Sequence, residues 1–145
     1  MDDYNIAHVQ LYSPVDQSCI VMSQSMPREC SLMRVVLWQT SAILLHDLTC
    51  LIYNFESQTW QEKRQFKTDV FHFGLVLSNY LIYVAGGGLS HRDEHNKLVW
   101  TFRDDVRCVS VMDIMDNKPA VWRHHATLPQ PALVHCYAVL RLQSR

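Results

Sequence analysis

Short apolar runs, rich in β-branched and aromatic residues, alternate with polar turns along the chain, and no segment keeps apolar residues at i, i+3, i+4 and i+7 for three turns. This pattern predicts an all-β protein. Strands are expected at 7–12, 19–23, 32–38, 42–45, 50–54, 59–64, 71–77, 81–85, 108–113, 121–125 and 135–142.

The strands belong to a repeated unit. Tyr53-Asn54-Phe55-Glu56-Ser57-Gln58-Thr59-Trp60 reads as a strand end, a polar turn and a new strand start, with an aromatic at each end of the step. Tyr12-Ser13-Pro14-Val15-Asp16-Gln17-Ser18-Cys19 repeats it, with Cys19 where Trp60 stands. A looser copy opens at Met112-Asp113 and closes at Trp122. A second element precedes these hairpins: the stretch from His72 through Tyr83 to Gly86-Gly87 reads as two strands around a Ser78-Asn79 corner, ending in paired glycines. Its first half returns from His135 to Leu140. Leu32 to Leu45 is another copy, in which His46-Asp47 takes the place of the glycines. Each unit is strand, strand, strand, turn, strand.

These residues resemble the kelch repeat. The Gly86-Gly87 pair with Tyr83 before it and the Tyr53/Trp60 step are the strongest matches, and a unit of about 50 residues suits kelch. Tyr12 and Trp122 fill the same structural positions in the other copies, and the departures are His46-Asp47, Cys19 and Met112. The resemblance implies a partial kelch β-propeller made of a half blade (7–26), two four-stranded blades (31–66 and 70–128) and a lone closing strand (134–142). Propellers have roughly 4–8 blades, so a six-bladed parent would need its missing blades from the rest of a longer chain or from another copy. Glycine at a strand end supplies positive φ and close backbone approach, while large aromatics fill the gap between stacked sheets. The blade carrying His46-Asp47 is therefore expected to be the less regular one.

Composition narrows the function. The 145 residues are 48% hydrophobic and 19% charged, with net charge −1, which argues against disorder and against the basic footprint of a nucleic-acid binder. The acidic start Met1-Asp2-Asp3 is unlike a secretory signal, and no apolar run approaches the roughly 20 residues of a membrane span. Five cysteines without a C-x-x-C pair predict reduced, buried thiols in a cytosolic or nuclear protein.

Candidate functional residues lie in connections. The stretch from Gly88 to Lys97, running on to Arg107, is the longest and most charged connection, and Ser90, His91, Arg92, Asp93 and Glu94 are its candidate partner contacts; a solvated insertion is the alternative. His72 and His135 share a repeat position at the start of a first strand, which in kelch proteins often faces the ligand; a local structural role there is the competing reading. Arg34 reads as part of the irregular blade. His91 and His95 have zinc-compatible spacing only on a helix, and no second ligand pair completes a set. No nucleophile elbow, P-loop or dinucleotide fingerprint occurs.

The resemblance implies a protein-binding module without catalytic residue, cofactor or metal. In the kelch-like family such a propeller recognises substrates for a cullin-RING ubiquitin ligase recruited by a BTB domain, and no BTB segment is recognisable in these residues. An actin-binding scaffold and a metal-dependent kelch oxidase are the alternatives. The oxidase needs tyrosine, histidine and cysteine converging on a metal, and no such set recurs at equivalent positions.

Overall fold

A computed structural model describes residues 10–21, 26–28 and 32–132. The chain folds as antiparallel β-sheet, as the alternation of short apolar runs predicts. A hairpin of β1 (Gln10–Ser13) and β2 (Ser18–Val21) comes first. It is followed by a four-stranded sheet of β3 (Arg34–Trp38), β4 (Ser41–Leu45), β5 (Cys50–Asn54) and β6 (Thr59–Glu62), paired in sequence order. The second four-stranded sheet contains β7 (Gly74–Ser78), β8 (Leu81–Ala85), β11 (Asp105–Ser110) and β12 (Arg123–Thr127). Between β8 and β11 the chain leaves to make a separate hairpin, β9 (Gly88–Arg92) and β10 (Leu98–Phe102).

The repeat has a physical counterpart in register and backbone. Tyr12 faces Cys19 across the first hairpin as Tyr53 faces Trp60 across β5 and β6. Gln17 and Gln58, at the same place in the two turns, share left-handed backbone (φ 54° and 55°). Leu32 and His72, each two residues before a first strand, do likewise (φ 61° and 53°), as do Gln39 and Asn79 in the two-residue corners (φ 50° and 55°). Three equivalent positions thus adopt a conformation that non-glycine residues rarely visit.

Both large sheets contribute to one core. Ile43 and Leu45 of β4 and Cys50 and Ile52 of β5 meet Ile82, Val84 and Val109 of the second sheet, with Phe66, Val70 and Phe73 of the connector 63–73 buried among them. The first strands β3 and β7 lie side by side, and Arg34 Nε donates to the Phe73 carbonyl at 3.3 Å. That contact gives Arg34 a structural task. β4 is buried along nearly its whole length, so its sequence is a continuous apolar run instead of an alternating one. On β3 alternation does appear: Val36 and Trp38 pack on the core, while Val35 and Leu37 face outward and are exposed.

Several expectations need correction. The strand expected over 108–113 is β11, which stops at Ser110; the chain then turns into a one-turn helix, α1 (Val111–Met115). Ser110 Oγ caps it by accepting from the Met112 amide at 3.2 Å, and Val111 and Ile114, three apart, are buried. Met112 therefore sits on an exposed helix face and not at a strand end. Trp122 precedes β12 instead of opening it. Its indole N–H donates to the Lys67 carbonyl at 3.1 Å and its ring lies under the Arg107 guanidinium at 5.5 Å, tying the connector to the second sheet. The thiols divide: Cys50 and Cys108 are buried, and burial pushes the Cys50 thiol up to about 12, whereas Cys19 is exposed. The strand expected over 135–142, with His135, lies outside the described residues, as do the ends of the half blade. No helix among the described residues is long and apolar enough to cross a membrane.

Candidate partner-binding surface

Strand direction brings three connectors to one end of the two sheets: 46–49 between β4 and β5, 63–73 between the sheets, and 86–104, which contains the inserted hairpin. Rings mark the junction. Phe71 stands edge-on to His46 at 6.3 Å and to Trp100 at 6.4 Å between centroids. Phe71 also exchanges two backbone hydrogen bonds with Gly88, both 2.9 Å, so the hairpin is anchored to the connector that carries His72.

The glycine pair makes this anchoring feasible. Gly86 and Gly87 have φ of 62° and 95°, and the Gly87 amide donates to the Ala132 carbonyl while its carbonyl accepts from the Arg103 amide. At the base of the hairpin Arg103 grips Asp105 with two hydrogen bonds of 2.8 Å. Burial alone would raise the Asp105 carboxyl, but Arg103, helped by Arg107, more than offsets it and holds the group below the usual carboxylate range.

The connection from Gly88 onward is an ordered β-hairpin and not an irregular loop. Its tip is built by Asp93, whose Oδ1 accepts from the His95 and Lys97 amides at 2.9 Å each, with Asn96 in left-handed backbone (φ 61°). Arg92 donates to the Asn96 carbonyl at 2.8 Å. Arg92 and Asp93 thus hold the turn; Ser90, His91, Arg92 and Glu94 are the exposed members of the predicted contact set, with Asp93 partly buried. His91 lies on β9 and His95 in the tip, so the helical spacing that zinc would need is not met. Among the described residues no three histidine, cysteine, aspartate or glutamate side chains gather into a metal-binding group.

The more consequential surface was not among the predicted contacts. Leu98, Trp100 and Phe102 alternate along β10, share one face of the hairpin, and stay 51%, 42% and 45% exposed. Three large apolar side chains on one projecting ribbon form the kind of patch, with a tryptophan at its centre, that protein interfaces use as anchors. The signal was present in Leu98-Val99-Trp100-Thr101-Phe102, a run of high β-propensity bounded by the turn residues Asp93 to Asn96. His72 stands at the same end, half-buried, with Ser90 and His91 exposed on β9. Of the repeat-structural residues, Tyr53 packs against Trp60 at 4.8 Å, and Tyr83 meets His125 at 4.9 Å on the second sheet.

Where the second sheet has Gly86-Gly87, the first has His46-Asp47, and neither residue adopts positive φ. Their carbonyls instead accept from the Thr68 and Asp69 amides, at 2.9 and 3.2 Å, latching the connector by another route. His46 Nδ1 lies 2.6 Å from Asp47 Oδ1, and the Leu48 amide also points at that nitrogen from 3.2 Å. Burial is the main cause that raises the Asp47 carboxyl above its ordinary value; His46 opposes it and Asp69 adds to it. A carboxyl whose folded-state pKa is raised favours folding at low pH, and this contribution is lost as pH rises through the folded value. Asp47→Asn, which removes the carboxylate charge that burial disfavours, is therefore expected to stabilise the fold by about 1 kcal/mol near pH 7. The gain should vanish below about pH 4, and urea melts of both proteins from pH 4 to 8 check it.

A cavity of about 100 Å³ walled by Leu81, Cys108 and Val121 lies on the second sheet by α1, at the opposite end. It is well below the roughly 300 Å³ at which pockets hold drug-sized molecules. Compared with protein-family models and with curated proteins, the chain matches none.

Proposed function

We propose that the chain is a protein-binding module, part of a kelch-type propeller whose two four-stranded sheets are successive blades, and that it binds through the end carrying the β9–β10 hairpin. The observation that carries the reading is the exposed Leu98, Trp100 and Phe102 stripe on a hairpin pinned to the inter-sheet connector. Support for the propeller form comes from the equivalent left-handed positions before each first strand, the matching hairpin registers, and the adjacency of β3 and β7. In this reading the module is the substrate-recognition part of a BTB-kelch adaptor for a cullin-RING ubiquitin ligase.

Affinity capture with wild-type chain and with the Trp100→Ser/Phe102→Ser double variant tests it. Because these side chains are half exposed, the variant should melt close to wild type, within about 1 kcal/mol of stability. A protein held by the wild type should be lost. Cullin and RING subunits recovered together with it support the ligase form; full retention by the double variant removes this surface from the binding reaction.

A further inference from the structure

The backbone of the hairpin shows which groups it offers a partner. Phe71 and Gly88 exchange both their hydrogen bonds with each other, so the Gly88 N–H and C=O point away from β10. Gly88 faces Phe102 in the register, which makes that a pair without mutual hydrogen bonds. Such pairs alternate along an antiparallel ribbon, so Ser90 with Trp100 and Arg92 with Leu98 are of the same kind. The bond from the Asp93 amide to the Lys97 carbonyl and that from the Arg103 amide to the Gly87 carbonyl occupy the alternate, bonded places. The free N–H and C=O groups on the outer edge of β10 are therefore those of Leu98, Trp100 and Phe102, the same three residues whose side chains form the exposed stripe. Among the described residues none of these backbone groups has a hydrogen-bond partner.

Among the described residues this edge carries none of the usual protections against strand pairing. β10 has no charged residue, no proline and no register shift, whereas the outer strands β6 and β12 of the large sheets carry Glu62 and Arg123. At its start, Lys97 has no carboxylate partner among the described residues, while at its end Arg103 is already satisfied by Asp105. Lys97, and Arg92 across from Leu98, thus place positive charge without a carboxylate partner among the described residues beside an apolar, unpaired strand edge.

We propose that β10 takes up an extended segment of another protein by strand addition, the segment pairing with the backbone of Leu98, Trp100 and Phe102, packing apolar side chains on their stripe and setting an acidic residue against Lys97. This rests on the reading of the hairpin as the binding element and names its mode and ligand class.

The test uses the ¹⁵N-labelled chain and the synthetic peptide acetyl-Asp-Val-Thr-Val-Thr-Val-amide. Saturating peptide should slow amide exchange at Leu98, Trp100 and Phe102 by about tenfold or more, a loss of opening that one new backbone bond each can supply. Trp100→Pro, which removes one outward donor without touching a bond inside the hairpin, should weaken binding about tenfold. Trp100→Thr, which keeps that donor, should weaken it less, and a peptide with lysine in place of aspartate should bind less tightly than the original. Equal affinity for Trp100→Pro and wild type, protection at other amides, or no shift up to the solubility limit would each overturn strand addition. Protection that appears without peptide and grows with protein concentration in step with sedimentation would assign the edge to a second copy instead, and also overturns it. If the peptide fails while Trp100→Ser/Phe102→Ser still abolishes capture, the binding surface stands and only the mode falls.

Discussion

Phe66→Ala is expected to lower the unfolding free energy by about 3–5 kcal/mol, the largest effect of any single substitution considered. Phe66 ends a short 3-10 turn (Arg64–Phe66) in the connector and is fully buried among residues from both large sheets. Removing its ring leaves a cavity at the place where the sheets meet, and two rigid sheets joined by backbone hydrogen bonds can collapse only partly to fill it. Folded domains hold about 5–15 kcal/mol in all, so the variant should be close to unfolded at 37 °C. Chemical denaturation followed by tryptophan fluorescence would measure the loss; a change under about 1 kcal/mol would mean that the two sheets do not share this core.

Gly87→Ala is expected to cost about 2–4 kcal/mol and, unlike Phe66→Ala, to disturb the binding end directly. The φ of 95° is unfavourable for any residue with a Cβ, and the added atom would lie 2.8 Å from the Phe71 carbonyl oxygen, 3.1 Å from Val70 Cβ and 3.2 Å from Phe73 Cβ. None of these is the end of a flexible side chain, so the connector or the glycine turn must move. The hairpin is anchored through Phe71 and Gly88, and exchange of amides 88–102 should accelerate well beyond that of β4 and β5. Uniform acceleration throughout the chain would show a global loss of stability with no special coupling to the hairpin.

Much of the sheet structure was legible because its signals are local. β5 and β8 begin and end at the predicted residues, since each is a compact apolar run closed by polar turn residues. The Tyr53 to Trp60 step was read as a strand, turn and strand, and its two aromatics do stand opposite each other. α1 escaped because a single turn of helix is too short to show a helical period, and its cap, Ser110, looks like any strand-end serine. The long connection after the glycine pair was legible as an insertion, but its character as a β-hairpin was not. The expected contacts, Ser90 to Glu94, lie in the charged half of that connection; two of them, Arg92 and Asp93, hold the turn, and the exposed apolar stripe lies on the strand that follows within the same connection.

What the sequence determined by itself was the strand class, the turn places and the repeat, because period-two hydrophobicity and left-handed turn positions are properties of neighbouring residues. Tertiary structure decided which apolar residues would be covered. Trp38 and Trp100 both lie on strands, but Trp38 packs on the core between the sheets, whereas Trp100 stands on a ribbon, edge-on to Phe71 and 42% exposed. Exposure depends on what another part of the chain brings alongside, and no local pattern encodes that.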